Sequence, residues 1–340
     1  MEFEAINVAL ALGALLVILA GCELFTNAIE WLGAKLKLST GACGSVLAAV
    51  GTALPETIVP IVAILIIRTG GAEEVGIGAI LGAPFMLATL AFTVTAIAVL
   101  GYTRSGRRRS AEMAVDFQVL SHDLGYFIVV YVVAIAASFL PWHAAKLAVA
   151  GLLVLVYAYY VWLHFRTGTC IADEFEMSPL RIAPNHEEPR LRWVLAQTLL
   201  ALACIFLGAH VFVEHLTRLA ETAAVSPLVL SIIITPIATE LPEKFNSVTW
   251  IRQRKDTLAL GNISGAMVFQ SSILPAIGLV FTQWVLDTQA LATAIAALAA
   301  SIFAWAELTW RKRLSPYTLL AGILFYAAYI IYTFSRNPHG

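Results

Sequence analysis

Two short segments carry the residues of this chain best suited to chemistry: Thr52-Ala53-Leu54-Pro55-Glu56 and Thr239-Glu240-Leu241-Pro242-Glu243. Each joins a hydroxyl, a proline and a carboxylate within a strongly apolar stretch. Proline has no backbone N–H and crowds the carbonyl four residues earlier, at Gly51 and Ala238, so a helix through either segment must kink or break. The freed carbonyls then need a partner. At membrane depth, irregular backbone is tolerated only where protein covers it or where it lines a cavity, and a bound cation is one way to satisfy those oxygens. Carboxylate, hydroxyl and carbonyl oxygens together make the hard donor set that calcium prefers. A lone glutamate at the bilayer centre costs about 2.5–3.5 kcal/mol and could simply be a protonated residue bridging helices. Two glutamates, each directly after a proline in matching segments, point instead to a shared site.

The apolar setting extends along the whole chain. Of its 340 residues, 60% are hydrophobic and only 13% charged, with a mean hydropathy of +0.83. Soluble domains carry about 25% charged residues, so a soluble globular protein is excluded. A helical span takes about 20 apolar residues, and apolar stretches fall near 6–31, 40–67, 74–101, 117–140, 143–165, 193–218, 226–251, 257–284, 288–310 and 315–334. They are too long, and too apolar on every side, for the strands of a barrel. The expected fold is an all-α polytopic membrane protein with ten transmembrane helices. A formal net charge of −1 offers no basic face for nucleic acid. Cys22, Cys43, Cys170 and Cys204 lie far apart and imply neither a disulfide framework nor a zinc site. The start, Met1-Glu2-Phe3-Glu4, lacks the positive n-region of a secretory signal, so the first stretch is expected to stay in the membrane.

The cationic residues give an orientation. Lys35 and Lys37, Arg104 to Arg109, Arg166 to Arg192, Arg252 to Lys255, and Arg311 to Arg313 all fall on the odd-numbered connections. The opposite side holds only Arg68, Lys146, Arg218 and Arg336. The positive-inside rule then puts the odd connections in the cytoplasm and both termini outside, in the cell (inner) membrane. The longest polar connection links two halves of five spans: a first repeat over 1–166, a cytoplasmic linker over 167–192 and a second repeat over 193–340. With an odd number of spans each, the halves enter the membrane from opposite sides.

The halves also share sequence. Residues 21–56 slide onto 208–243 without a gap, at an offset of 187 and with eight identities, among them Gly21/Gly208, Thr52/Thr239, Pro55/Pro242 and Glu56/Glu243. The next stretches repeat a small-residue face, Gly78-x-x-x-Gly82 and Gly261-x-x-x-Gly265, which lets helices approach closely. Two inverted five-helix repeats are the architecture of many secondary transporters. Inversion brings Glu56 and Glu243 toward each other near the midplane.

Gly51-Thr52-Ala53-Leu54-Pro55-Glu56 and Ala238-Thr239-Glu240-Leu241-Pro242-Glu243 resemble the Gly-Thr-Ser-Leu-Pro-Glu signatures of the cation/calcium exchanger superfamily, the sodium/calcium exchangers in particular. Gly78 to Met86 and Gly261 to Phe269 are similar to that family's Gly-Asn-x-x-Gly-Ser-Asn-x-Phe segments. The resemblance covers the whole chain and implies a divergent, prokaryotic-type member. It implies an antiporter that exchanges calcium for sodium by alternating access, with the first and sixth helices sliding against the rest. The ion would be held by the carboxylates of Glu56 and Glu243 and by backbone oxygens of Thr52 and Thr239. No cofactor is implied beyond the transported calcium and its counter-ion.

Departures from the signature bear on the counter-ion. The signature Ser becomes Ala53 and Glu240, the Ser of the Gly-rich segments becomes Ala83 and Ala266, and the polar residue beyond them becomes Leu87 and Gln270. Side-chain oxygens that would hold sodium are thus fewer, and a proton/calcium, or other divalent, antiporter is the alternative. Glu240 and Gln270 join the candidate metal set. Glu240 lies four residues before Lys244, the order that favours a helical ion pair. Lys244 neutralises Glu240, or occupies space that a monovalent cation uses in the family it resembles, or snorkels toward the cytoplasmic end of its helix.

Other polar residues are read more plainly. Glu23, Asn27, His210, Glu214 and His215 lie toward helix ends, as ordinary solvated groups or as lining of an ion path. His122-Asp123 ties helices together. Asn246 follows its signature closely enough to face the cavity, and Trp142, Trp193, Trp284, Trp310 and Tyr317 read as interface anchors. A cation channel is the weaker alternative, because such pores usually form between subunits. An intramembrane enzyme is weaker still, since no Gly-x-Ser-x-Gly, His-Glu-x-x-His or phosphate loop is present.

Overall fold

A backbone in hydrocarbon has no water to bond, so a long apolar stretch satisfies its own N–H and C=O groups as helix. The structure, a computed structural model, describes residues 2–35, 54–68, 71–167, 178–186 and 188–336. Among the described residues there is no strand. The helices are α1 (Glu2–Lys35), α2 (Leu54–Ile61), α3 (Ala72–Met86), α4 (Phe92–Arg104), α5 (Phe117–Ala136), α6 (His143–Thr167), α7 (Leu191–Thr222), α8 (Pro227–Thr239), α9 (Leu241–Arg252), α10 (Asp256–Phe281), α11 (Thr288–Arg311), α12 (Pro316–Leu320) and α13 (Gly322–Arg336). A wide π turn extends α2 over Val62–Ile67, and another, Leu87–Ala91, joins α3 to α4. Eight of the resulting helical segments are long and apolar enough to cross a membrane, among them Ala5–Leu32, Ala72–Arg104 and Asp256–Phe281. Glu56–Ile67 and Pro227–Ile237 are apolar but shorter. These two carry or adjoin the signatures.

Among the described residues the buried apolar side chains form two large clusters, which meet at α3, and a small third one. One cluster gathers α1 and α7 with the near faces of α2 and α3, around Ile18, Phe25, Ile205 and Phe212. The larger gathers α3 to α6 and α8 to α13, around Phe85, Phe92, Tyr131, Met267 and Trp284. Within the first cluster, α1 lies along α7 with a reciprocal close contact. A Cβ on Gly21 would stand 2.8 Å from Ile205 Cγ1 and 3.1 Å from the Ala201 carbonyl; one on Gly208 would stand 2.8 Å from Ile18 Cγ1 and 3.1 Å from the Ala14 carbonyl. The offset of 187 exchanges these two sets of residues with each other.

The small face of α3 meets α8 in the same way. A Cβ on Gly78 would reach the Leu228 carbonyl at 2.6 Å, and one on Gly82 the Ile232 carbonyl at 2.7 Å. Backbone this close leaves room only for hydrogen. The residues that would meet Gly261 and Gly265 under the repeat lie outside the described residues, so that half of the expectation is not described.

Polar anchors close both ends of the bundle. Arg108, in the connection between α4 and α5, donates from Nη1 to Asp256 Oδ1 at 2.7 Å and from Nη2 to Asp256 Oδ2, and both side chains are buried. Ala114 N also donates to Asp256 Oδ2 at 2.9 Å, and Asp116 caps α5 by accepting from Gln118 N and Val119 N. The hydrogen bonds to Asp256 hold the Arg108 guanidinium above its ordinary pKa. At the opposite end, Trp284 is a correction: it is fully buried rather than an interface anchor. Its ring fills the notch at Gly278, its Nε1 donates to the Ala134 carbonyl at 3.0 Å, and Lys146 Nζ donates to the neighbouring Gln283 carbonyl at 2.5 Å. Trp142, Trp310 and Tyr317 are exposed, as anchors should be.

The polar connection ahead of α7 also does more than link. Its Leu180 is buried with Trp31 and Val194, and Ser178 to Ala183 is bonded across α1 and α7. Asn27 Nδ2 donates to the Ser178 carbonyl at 3.3 Å, Trp31 Nε1 to the same carbonyl at 3.0 Å, and Arg181 N to Asn27 Oδ1 at 3.1 Å. Gln197 on α7 accepts from Ile182 N at 3.0 Å and donates to Leu24 O and Asn27 Oδ1. Asn27 is thus neither a solvated helix-end residue nor lining of an ion path. Glu23 pairs with Arg181 at 2.7 Å.

Candidate functional site

Proline at the second signature acts as its chemistry requires. α8 ends at Thr239, Glu240 takes a non-helical conformation (φ −92°, ψ 9°), and α9 begins at Leu241 with Pro242 in its first turn. In the first half α2 is described from Leu54, the residue equivalent to Leu241 under the offset of 187, and the residues just before it lie outside the described ones. Glu243 therefore stands in the first turn of α9, and Glu56 on α2. At a helix start the backbone N–H groups lack intrahelical acceptors and carry the positive end of the dipole, which favours a carboxylate. Proline fits this position because the N–H it lacks would have had no partner there.

Glu56 is 2% exposed, Thr239 1% and Glu240 0%. Thr239 Oγ1 donates to the Thr235 carbonyl at 3.1 Å, one member of a hydroxyl run along α8. Ser231 Oγ lies 3.1 Å from Thr235 Oγ1 and donates to the Val75 carbonyl of α3 at 2.7 Å. The spacing of Ser231, Thr235 and Thr239, four apart on one helix face, was legible in the sequence as the signal for this run. Gln270 on α10 is 2% exposed, and its Oε1 has no hydrogen-bond partner among the described residues. A buried carbonyl oxygen left in that state costs about 1–3 kcal/mol, which a cation would offset.

Lys244 reaches back across the helix break. Its Nζ lies 3.2 Å from Glu240 Oε2 and donates to the Pro236 carbonyl at 3.3 Å. With Lys244 12% exposed and Glu240 fully buried, this is an interior ion pair rather than a snorkelling lysine. Pro236 had no counterpart in the first half, where Ala49 is the equivalent, so the repeat could not signal it.

Thr52 lies outside the described residues, and Glu243 and Asn246 are described in their backbone alone. Among the described residues no three His, Cys, Asp or Glu side chains converge as a metal cage. His122-Asp123 ties helices, as expected: Asp123 accepts from Tyr160 on α6 at 2.8 Å and from Ser264 on α10 at 2.6 Å. His215 pairs with Asn7 at 2.8 Å, joining α7 to α1 at the end away from the linker, Glu214 pairs with Arg218 at 2.5 Å, and His210 is exposed.

Comparisons with known proteins agree with this geometry. The sequence profile of the family described as "Sodium/calcium exchanger protein" matches residues 6–166 and 193–336. The "Inner membrane protein YrbG" of Escherichia coli (strain K12) is 24% identical over 282 residues, covering 80% of this chain and 79% of that protein. Among solved structures, the H+/Ca2+ exchanger CAX superposes with a TM-score of 0.70 at 18% identity, over 97% of this chain and 87% of CAX. The sodium-calcium exchanger NCX_Mj superposes with a TM-score of 0.58 at 18% identity, over 96% of this chain and 98% of its own. The profile match takes in both signatures and both Gly-rich segments, in an all-helical membrane chain: this protein belongs to the sodium/calcium exchanger family, a family of membrane transporters and not of enzymes.

Proposed function

We propose that this chain is a secondary antiporter that carries calcium across the membrane in exchange for a monovalent cation, sodium or proton, by alternating access. The observation that carries it is the helix break at Glu240, which starts α9 at Leu241 and sets Glu243 of the second signature in its first turn, as the repeat of a first signature whose Glu56 is buried on α2. In this reading calcium is bound by the carboxylates of Glu56 and Glu243 and by backbone oxygens of Thr52 and Thr239, with Gln270 and Glu240 at the edge of the site. The chain comprises ten spans in two inverted repeats, 1–166 and 193–340, joined by a cytoplasmic linker, with both termini outside. The reciprocal contact of Gly21 and Gly208 supports a two-fold relation between the halves. The close packing of α1 along α7, at Gly21 and Gly208, supports their movement as a pair. When calcium leaves, the two signature carboxylates within the membrane require replacement charge, which couples its exit to entry of monovalent ions.

Calcium uptake into vesicles with imposed sodium or proton gradients tests the proposal. Native protein is expected to accumulate calcium against its gradient, and Glu56→Gln and Glu243→Gln to lose that activity. Calcium flux that persists without any exchangeable counter-ion would establish a channel instead. The Glu240–Lys244 pair favours protons over sodium, because it adds a fixed cation where a mobile one would otherwise sit.

A further inference from the structure

We infer that the segment 178–183, in the connection ahead of α7, is a clamp that fixes α1 to α7, so that the two helices change position as one unit and do not slide along each other. The inference rests on the antiporter reading, in which these helices move, and specifies how they do so. α1 and α7 cross with their backbones close at Gly21 and Gly208. Such a crossing lets helices approach but supplies no directional bond between them. The clamp supplies those bonds at one end. Asn27 Oδ1 on α1 accepts from Arg181 N at 3.1 Å and from Gln197 Nε2 on α7 at 2.9 Å, and Gln197 Oε1 accepts from Ile182 N at 3.0 Å. These bonds close a ring through α1, α7 and the connection. Asn27 Nδ2 and Trp31 Nε1 both donate to the Ser178 carbonyl, at 3.3 and 3.0 Å. Both amide side chains of the ring are buried.

Leu180 completes the clamp with apolar contact. Its side chain is fully buried and clusters with Trp31 of α1 and Val194 of α7. Sliding α1 along α7 by one helical turn, about 5.4 Å, breaks the bond between Asn27 and Gln197 and pulls the two amides away from the connection. Amides buried this deeply are costly to strand, so the slid state is disfavoured. Movement of the pair together leaves every one of these bonds intact. The clamp is also not a by-product of the repeat. Under the offset of 187, Asn27 and Gln197 correspond to Glu214 and Leu10, so the amide pair has no counterpart at the opposite end of the crossing. There Asn7 of α1 and His215 of α7 meet at 2.8 Å.

The test uses full-length protein in vesicles, with Cys22, Cys43 and Cys170 replaced by Ala and with Gly21→Cys added. A Cβ at position 21 stands 3.2 Å from Cys204 Cβ, so copper phenanthroline in air can join α1 to α7 by a disulfide. With the clamp intact, calcium uptake is expected to be the same before and after oxidation. Leu180→Asp puts a charge into a buried apolar position and undocks the segment 178–183 without changing α1 or α7. Uptake by L180D is expected to fall, and to return on oxidation, because the disulfide replaces the lost tie. A second readout needs no transport: the disulfide should form more slowly in L180D than with the clamp intact. Leu180→Ala, which adds no charge, should show the same changes to a smaller degree and separates undocking from misfolding. Uptake that oxidation stops while the clamp is intact, uptake unchanged in L180D, uptake lost in L180D and L180A that oxidation does not return, or equal rates of disulfide formation with and without Leu180 would each overturn the inference. Native protein that moves no calcium under any gradient refutes the antiporter reading, and the rates of disulfide formation still decide the clamp.

Discussion

Glu56, Arg108 and Asp256 are each charged groups removed from water, and the partners each receives decide its role. Glu56 is 2% exposed on α2, and the antiporter reading gives its carboxylate to calcium. Glu56→Gln keeps the shape and removes the charge; calcium transport by the reconstituted variant should fall by more than the about 10- to 100-fold typical of losing an outer-shell partner, with the thermal midpoint little changed. Arg108 and Asp256 instead satisfy each other, with the Glu112 and Ser110 carbonyls completing the guanidinium's bonds. Arg108→Ala strands a buried carboxylate and should cost about 3–5 kcal/mol in denaturant unfolding, while replacing both residues by apolar ones of similar volume should cost much less. The Arg108 pKa is raised on folding, so its contribution is fully present below its ordinary value and is lost only as pH rises through the still higher folded one. Its side of the pair is therefore constant across neutral pH.

Between elements, close approach of backbone sets the geometry. On Gly82 a new Cβ meets the Ile232 carbonyl at 2.7 Å and its Cα at 2.9 Å, neither of which can rotate away, whereas on Gly125 the nearest atom is Trp305 Nε1 at 3.6 Å. Gly82→Ala should cost about 1–3 kcal/mol and separate α3 from α8, and Gly125→Ala should be close to neutral; thermal unfolding of the two variants side by side is the check. The segment before α7 is held by buried side-chain amides, so Asn27→Ala and Gln197→Ala should each cost about 1–3 kcal/mol by leaving the other's partners unmet. Because these residues share one network, the double variant should cost less than the sum. Hydrogen exchange over Ser178 to Ala183 should rise in both.

For the whole molecule, the antiporter reading makes α1 and α7, packed along each other, the pair that moves. A Cβ at position 21 lies 3.2 Å from Cys204 Cβ, near the about 3.5–4.5 Å spanned by a disulfide. Gly21→Cys, oxidised in the vesicle, ties α1 to α7. Calcium exchange should survive that cross-link if the two helices travel together, and should stop if they slide past each other. Much of this organisation was legible in the sequence. Apolar length and composition determined an all-helical membrane chain, since a backbone in lipid has few ways to satisfy itself. The Thr-x-Leu-Pro-Glu segment of the second half gave the place of the break at Glu240, since Pro242 has no N–H to continue the helix. Residues on different elements carry no such local mark. The spacing of Glu240 and Lys244 also allowed their ion pair, but that Asn27 holds the connection before α7 and that Trp284 fills the notch at Gly278 instead of facing lipid were decided by tertiary structure alone. Each depends on a partner brought near by packing, and side-chain type and spacing along the chain do not contain that proximity.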